Sequence, residues 1–337
     1  MRNSALAVLL LVASFVASAI DLVPPPYRSR TSVEGVVRIR GSAEIAPVVE
    51  KWMAGFRRTH PQVTFEAKFE GSDIAMAGLY TAQVDIAIIG RPATASEVKA
   101  FEWIYRYQPL AVEVATGALT SAGRSPALIA YVHEDNPLAR LSLVQLDAIF
   151  SRERLRGAPH MLTRWGDLGL QDEWASQVIN LYTFDTESGT GRFLRDVVLK
   201  DSRMLDWDRI TEFGDTSKLR SPSHDAGRRI LEALARDRFG LAVASGPPPR
   251  GVRALAIAGE DGLYHAATEA SVRERAYPLA RAANAYVNRK PNSPLDAPTA
   301  EFLRYALGPE GRRDTAAAGA YLPLEPDNAN AQAAKLR

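Results

Sequence analysis

Cysteine is absent from the 337-residue chain. That excludes disulfides, thiolate metal sites and cysteine nucleophiles. It also excludes the lipid tether of bacterial lipoproteins, which is built on a cysteine. Histidine is scarce, at five residues. His60, His133, His160, His224 and His265 form no HxxxH or HExxH pair, so they read as scattered surface residues and not as metal ligands. The chain has no G-x-S-x-G elbow and no G-x-x-x-x-G-K-[ST] loop. Acyl and phosphoryl transfer therefore lack their usual apparatus, and nothing calls for a cofactor. The one hydrolytic alternative is Ser188 as a nucleophile with His224-Asp225 as a distant base. A net charge of only +2 gives no reason to expect nucleic acid. Past the N-terminus no apolar run reaches the ~20 residues that a bilayer-spanning helix needs.

What is present describes an exported globular protein. Hydrophobic residues make up 46% and charged residues 24%, and the length is ample for two domains with proper cores. Arg2, the apolar stretch Ala5 to Val12 with Phe15-Val16, and Ala17-Ser18-Ala19 read in order as the three regions of a secretory signal. Residues 1–19 are thus expected to be removed and the mature chain to work in the periplasm. Residues 20–35, with Pro24-Pro25-Pro26, read as an extended leader.

The rest alternates strand, loop and helix. Val36 to Arg40 reads as a strand ending at Gly41-Ser42, with a helix over Pro47 to Arg58 behind it. Val63, Phe65, Ala67 and Phe69 alternate with polar residues up to Gly71-Ser72-Asp73. Val84 to Ile89 is an apolar strand stopped by Gly90-Arg91-Pro92. Val178 to Tyr182 leads into Thr183-Phe184-Asp185-Thr186-Glu187-Ser188-Gly189-Thr190-Gly191, and an amphipathic run from Phe193 follows. The rhythm predicts an α/β fold, whose ligands gather beyond the carboxyl ends of the strands. A Ser-Gly-Thr-Gly loop opening a helix points backbone N–H groups and hydroxyls at an anion. The same residues also make an ordinary N-cap.

Several pieces stand in a recognisable order. They are Gly41-Ser42-Ala43-Glu44-Ile45-Ala46-Pro47, Gly71-Ser72, Asp85-Ile86-Ala87-Ile88-Ile89-Gly90-Arg91-Pro92, Trp165-Gly166-Asp167-Leu168, Glu187-Ser188-Gly189-Thr190 and Tyr277-Pro278-Leu279-Ala280-Arg281. Together, from about Val37 to Leu324, they resemble the PstS-like group of periplasmic phosphate-binding proteins, the type II solute-binding proteins of ABC importers. The resemblance implies a two-lobe periplasmic-binding-protein fold with two hinge crossings. Lobe 1 would span 36–127 and 246–326, lobe 2 128–245, and a C-terminal tail 327–337. Ligand contacts are expected from Ser42, Ala43, Glu44, Ser72, Gly90, Arg91, Ser188, Gly189 and Thr190. The implied ligand is a small oxyanion, phosphate by resemblance. The implied partner is an ABC permease or another envelope protein, the protein being a monomer without enzymatic activity, metal or cofactor.

The departures fall on ligand positions. Ala43 and Glu44 stand where the family offers hydroxyls, Phe184 where it has a phosphate-clamping arginine, and Gly90 where it has an acidic or hydroxyl residue. Two readings of Glu44 follow. Either it caps its helix in solvent while Arg91 supplies the missing positive charge, or it lines the cleft and pairs with Arg91 or a cationic or hydroxyl-rich ligand. The alternative function is a PstS-like scaffold that has lost phosphate binding and takes another ligand or an envelope partner.

Overall fold

The computed structural model describes residues 32–117, 119, 127–214 and 223–337, without the side chains of 223–225. The expected signal at 1–19 and leader up to residue 31 lie outside the described residues, as do the side chains of His224 and Asp225. Among the described residues no helix is long and apolar enough to cross a membrane.

The chain first runs β1 (Gly35–Gly41), α1 (Ala46–Arg57), β2 (Val63–Lys68), α2 (Ser72–Tyr80), β3 (Ile86–Ile89), α3 (Ala95–Tyr105) and β4 (Leu110–Gly117). The middle holds β5 (Ile129–His133), β6 (Arg140–Ser142), α4 (Leu143–Phe150), β7 (Asn180–Phe184), α5 (Gly189–Leu199), β8 (Ile210–Phe213), α6 (Ser223–Leu234), β9 (Gly240–Ala244), β10 (Val252–Ala254), β11 (Ala256–Ala258), β12 (Tyr264–His265) and α7 (Glu269–Arg273). Then come β13 (Ala282–Val287), α8 (Ala297–Leu307), α9 (Pro309–Ala318), β14 (Tyr321–Leu322) and α10 (Pro326–Ala334).

Two main sheets result. The first has the order β14-β4-β13-β3-β1-β2 and the second β10-β5-β9-β7-β8, while β12-β11-β6 form a small third sheet. In the first sheet β1 runs parallel to β2 and β3, whereas β13 is antiparallel to β3 and β4. The carboxyl ends of β1, β2, β3 and β4 therefore share one edge with the amino ends of β13 and β14. Helices cover both faces of this sheet, so its central strand must be apolar on both sides. Along β3, Ile86 and Ile88 enter the core with Trp52, Phe56 and Phe302, while Ala87 and Ile89 enter the other with Met76, Leu79 and Phe101. Burying an indole needs a partner for its N–H. Trp52 Nε1 donates to Gly311 O at 2.9 Å and to Thr315 Oγ1 at 3.0 Å, which fastens α1 to α9.

Three features depart from the sequence reading. The expected return to lobe 1 at residue 246 does not occur there: after Pro247–Pro249 the chain re-enters the second sheet, where Val252 pairs antiparallel with His133. The chain rejoins the first sheet at Ala282. A proline turn stops a strand but does not say which sheet receives the next one. Residues 327–337 are not a loose tail: α10 buries Ala329, Leu336 is buried beyond it, and the Glu113 N–H donates to Gln332 Oε1 at 3.0 Å. His60 is not a surface residue. It is 3% exposed and stacked on Phe56 at 4.3 Å, and burial lowers its pKa.

Candidate functional site

The first sheet supplies three loops at one edge. After β1, the Ser42 N–H donates to Ile88 O at 3.1 Å, while Ser42 Oγ is buried with no partner among the described residues. Ala43 is exposed and Glu44 half-buried, in a single 3-10 turn. After β2, the Gly71 N–H donates to Gly41 O, tying the second loop to the first. Gly71 has φ +129°, a conformation only glycine adopts without strain. Ser72 then opens α2, buried at 9% exposure. After β3 comes Gly90. A Cβ there would stand 2.4 Å from Tyr321 Oη and 3.3 Å from Arg281 Nη2, so this position has no room for a side chain.

The second sheet supplies one loop. Beyond β7, Ser188 caps α5: its Oγ accepts from the Gly191 N–H at 3.1 Å and donates to Asp185 O at 2.6 Å. The hydroxyl proton is thus held by a carbonyl and not by a base. The next two amides, Gly189 and Thr190, make no hydrogen bond among the described residues. They are the first donors of the helix, which no turn of α5 can satisfy.

The loops meet across the gap between the two bodies. A Cβ at Gly189 would lie 3.6 Å from Ser72 Oγ, so the N-termini of α2 and α5 face each other closely. Arg192 Nη1 on α5 reaches Asp73 Oδ1 on α2 at 2.8 Å, and the same oxygen takes Arg91 Nη2 at 2.8 Å. Arg281 Nε donates to Gly90 O at 2.8 Å, and its Nη1 donates to Thr190 Oγ1 at 3.2 Å. Of the expected residues, Ser72, Gly90, Gly189 and Thr190 therefore stand where the loops of the two bodies meet, and Ser42 lies beside β3 at the same sheet edge.

Arg91 is placed differently from the expectation. It is 0% exposed and binds both oxygens of Glu97 at 2.7 Å as well as Asp73. Burial works to lower its pKa, but Glu97 and Asp73 outweigh that and hold it above the ordinary arginine value. Its charge is committed inside the first body, and its ion pairs do not include Glu44. Glu44 instead acts on Tyr321. Burial pushes that phenol up, Arg281 pulls it down, and Glu44 adds a further rise. Phe184 stands at 4% exposure in the core of the second body, its ring 3.6 Å from a Cβ placed on Gly227, where an arginine would be a buried charge. Arg281 and Tyr321 were missed as site residues. Arg281 closes the Tyr277-Pro278-Leu279-Ala280-Arg281 stretch just ahead of an apolar strand, a signal of position but not of role. Tyr321 lies in the stretch Ala318 to Leu324, which resembles the end of the closing lobe, again a signal of position and not of role.

Loops from two α/β bodies closing helix N-termini on one point define a two-lobe, cleft-binding protein. A family model described as a PBP superfamily domain matches residues 28–310. The phosphate-binding protein PstS of Pseudomonas aeruginosa is 31% identical over 314 residues, covering 93% of this chain and 90% of that one. The solved structure of PstS from Borrelia burgdorferi superposes with a TM-score of 0.59 at 15% identity, covering 87% of this chain and 100% of that one. An ABC-type phosphate transport receptor from Vibrio cholerae gives 0.58 at 18% identity, covering 85% and 99%. The chain belongs to the PBP superfamily and, within it, to the PstS family of binding proteins.

Proposed function

We propose that this protein captures inorganic phosphate in the cleft between its lobes and hands it to the permease of an ABC importer. It does so as an exported periplasmic monomer, without a covalent step. The observation that carries this reading is the approach of Ser72 Oγ on α2 to Gly189 on α5, at 3.6 Å from its Cβ position. Two helix N-termini from different bodies are held face to face, with the Gly189 and Thr190 amides unpaired among the described residues. Helix N-termini carry partial positive charge, so two that face each other with free amides offer a place for an anion. Closure around the anion excludes water and strengthens each charge-assisted hydrogen bond. Relatives named for phosphate binding and transport support the choice of anion.

Calorimetric titration of the protein purified from the exported fraction, with phosphate and then sulfate, tests the reading. Micromolar or tighter phosphate binding with weaker sulfate binding is the expected result. Failure to bind either anion would refute the reading and favour the scaffold that has lost its ligand.

A further inference from the structure

We propose that Arg281 and Tyr321, contributed by the first body, are the charge-bearing and hydroxyl contacts to the bound oxyanion, replacing the arginine that Phe184 displaced. The inference rests on the oxyanion reading above and assigns its contacts.

Four arginines lie at the meeting loops. Arg91 is neutralised by Glu97 and Asp73. Arg192 pairs with Asp73 and Glu187, and Arg195 with Glu187 and Asp201. Arg281 is 5% exposed and, among the described residues, pairs with no carboxylate. Its partners are a carbonyl, a hydroxyl and the face of Phe193 at 5.3 Å. Glu44 acts on the neighbouring Tyr321 but makes no ion pair with Arg281 among the described residues. A buried guanidinium with no carboxylate in contact is unfavourable, and more so where its Nη1 touches the first turn of α5, itself a region of positive potential. An anion bound between the two resolves both.

Tyr321 Oη and Ser42 Oγ are buried and have no hydrogen-bond partner among the described residues. Such orphaned groups are rare in folded proteins and mark a missing ligand atom or strain. Tyr321 Oη and Arg281 Nη2 flank the same point beside Gly90. Gly90 is thus small because the tyrosine hydroxyl occupies the space that an acidic or hydroxyl side chain would need. Arg281 also sits where the chain returns to the first sheet, and it bonds Thr190 on the second body. Anion binding and lobe closure therefore share one side chain.

The test is phosphate titration and thermal unfolding of wild type, Arg281→Gln, Arg281→Lys and Tyr321→Phe, with unfolding measured in phosphate-free buffer. Arg281→Gln is expected to weaken phosphate binding by about 100-fold, as for removal of one member of a buried charge contact. Arg281→Lys keeps the charge but not the fork, and falls between Arg281→Gln and wild type. Tyr321→Phe is expected to weaken binding by about tenfold, the loss of one hydrogen bond, while the phosphate-free midpoint does not fall. A phenylalanine variant with a lowered midpoint and unchanged affinity would make the hydroxyl structural and overturn its assignment. Wild-type phosphate binding with undiminished affinity in Arg281→Gln overturns the charge assignment and leaves the function standing. A wild type that binds no oxyanion overturns the function and this inference together.

Discussion

Gly90→Ala is the substitution whose outcome the structure specifies most closely. The φ of Gly90 lies outside the left-handed range, so alanine meets no backbone strain there. The added methyl would stand 2.4 Å from Tyr321 Oη, roughly 1 Å inside an ordinary carbon–oxygen contact. Tyr321 is 1% exposed in the core with Ala320 and Leu324, so the ring has little freedom to withdraw. Overpacking of this kind is expected to destabilise by about 1–3 kcal/mol. Tyr321→Phe removes the clashing atom and an unsatisfied hydroxyl, and by itself is expected to be neutral or slightly stabilising. With the oxygen gone, the next neighbours are Arg281 Nη2 at 3.3 Å and the ring carbon at the Tyr321 Cζ position at 3.7 Å, contacts that small shifts accommodate. The double variant should therefore recover most of the loss, with a coupling energy of about 1–2 kcal/mol. Urea unfolding of the four proteins in phosphate-free buffer, with midpoints and m-values compared, measures the cycle. If Gly90→Ala stays within about 0.5 kcal/mol of wild type, or costs as much in the Tyr321→Phe background as beside the native tyrosine, the packing argument is wrong.

Further outcomes follow from the same geometry. Phe184→Arg restores the family's arginine by position, but places a charge in the second core and is expected to destabilise by more than about 3 kcal/mol without tightening phosphate binding; a stable, tighter-binding variant in urea unfolding and calorimetry would contradict this. Arg192→Ala removes the contact to Asp73 across the cleft. Because that carboxylate is 53% exposed, capture should weaken only about two- to fivefold, and the difference from wild type should shrink in titrations between about 0.05 M and 0.5 M salt. An effect of hundreds-fold would mean the pair does more than close the lobes. Asp196 is raised above the ordinary aspartate range, first by burial and then by Asp201. A raised folded-state value favours folding when the group is protonated, so this residue opposes folding at neutral pH and ceases to as pH falls toward the ordinary aspartate value. Asp196→Asn should therefore raise the unfolding midpoint near pH 7, with the gain fading below about pH 4. A gain that persists or grows in acid would reverse the assignment.

Much of the frame was legible from residue spacing. Most strands and helices of both sheets follow local apolar periods, and Ser188 is an N-cap as the Ser-Gly-Thr-Gly loop suggests. The helix α3 escaped notice although Thr94 and Glu97 form its capping box, because short polar turns are common outside helices. The lobe boundary set at residue 246 was not legible, because nothing local says which sheet receives β10.

Local order thus determined the α/β rhythm, the family and the position of the four loops, since caps, glycine turns and strand ends act over a few residues. The tertiary fold decided where the charge goes. Arg91 was expected either to supply the missing charge or to pair with Glu44, but is consumed by Asp73, 18 residues away, and by Glu97. Arg281 reaches Thr190 across 91 residues and Gly90 across 191. Tyr321 fills the space that Gly90 leaves. Coulomb and packing terms depend on distance in space, so which arginine remains uncompensated was settled only when the two sheets came together.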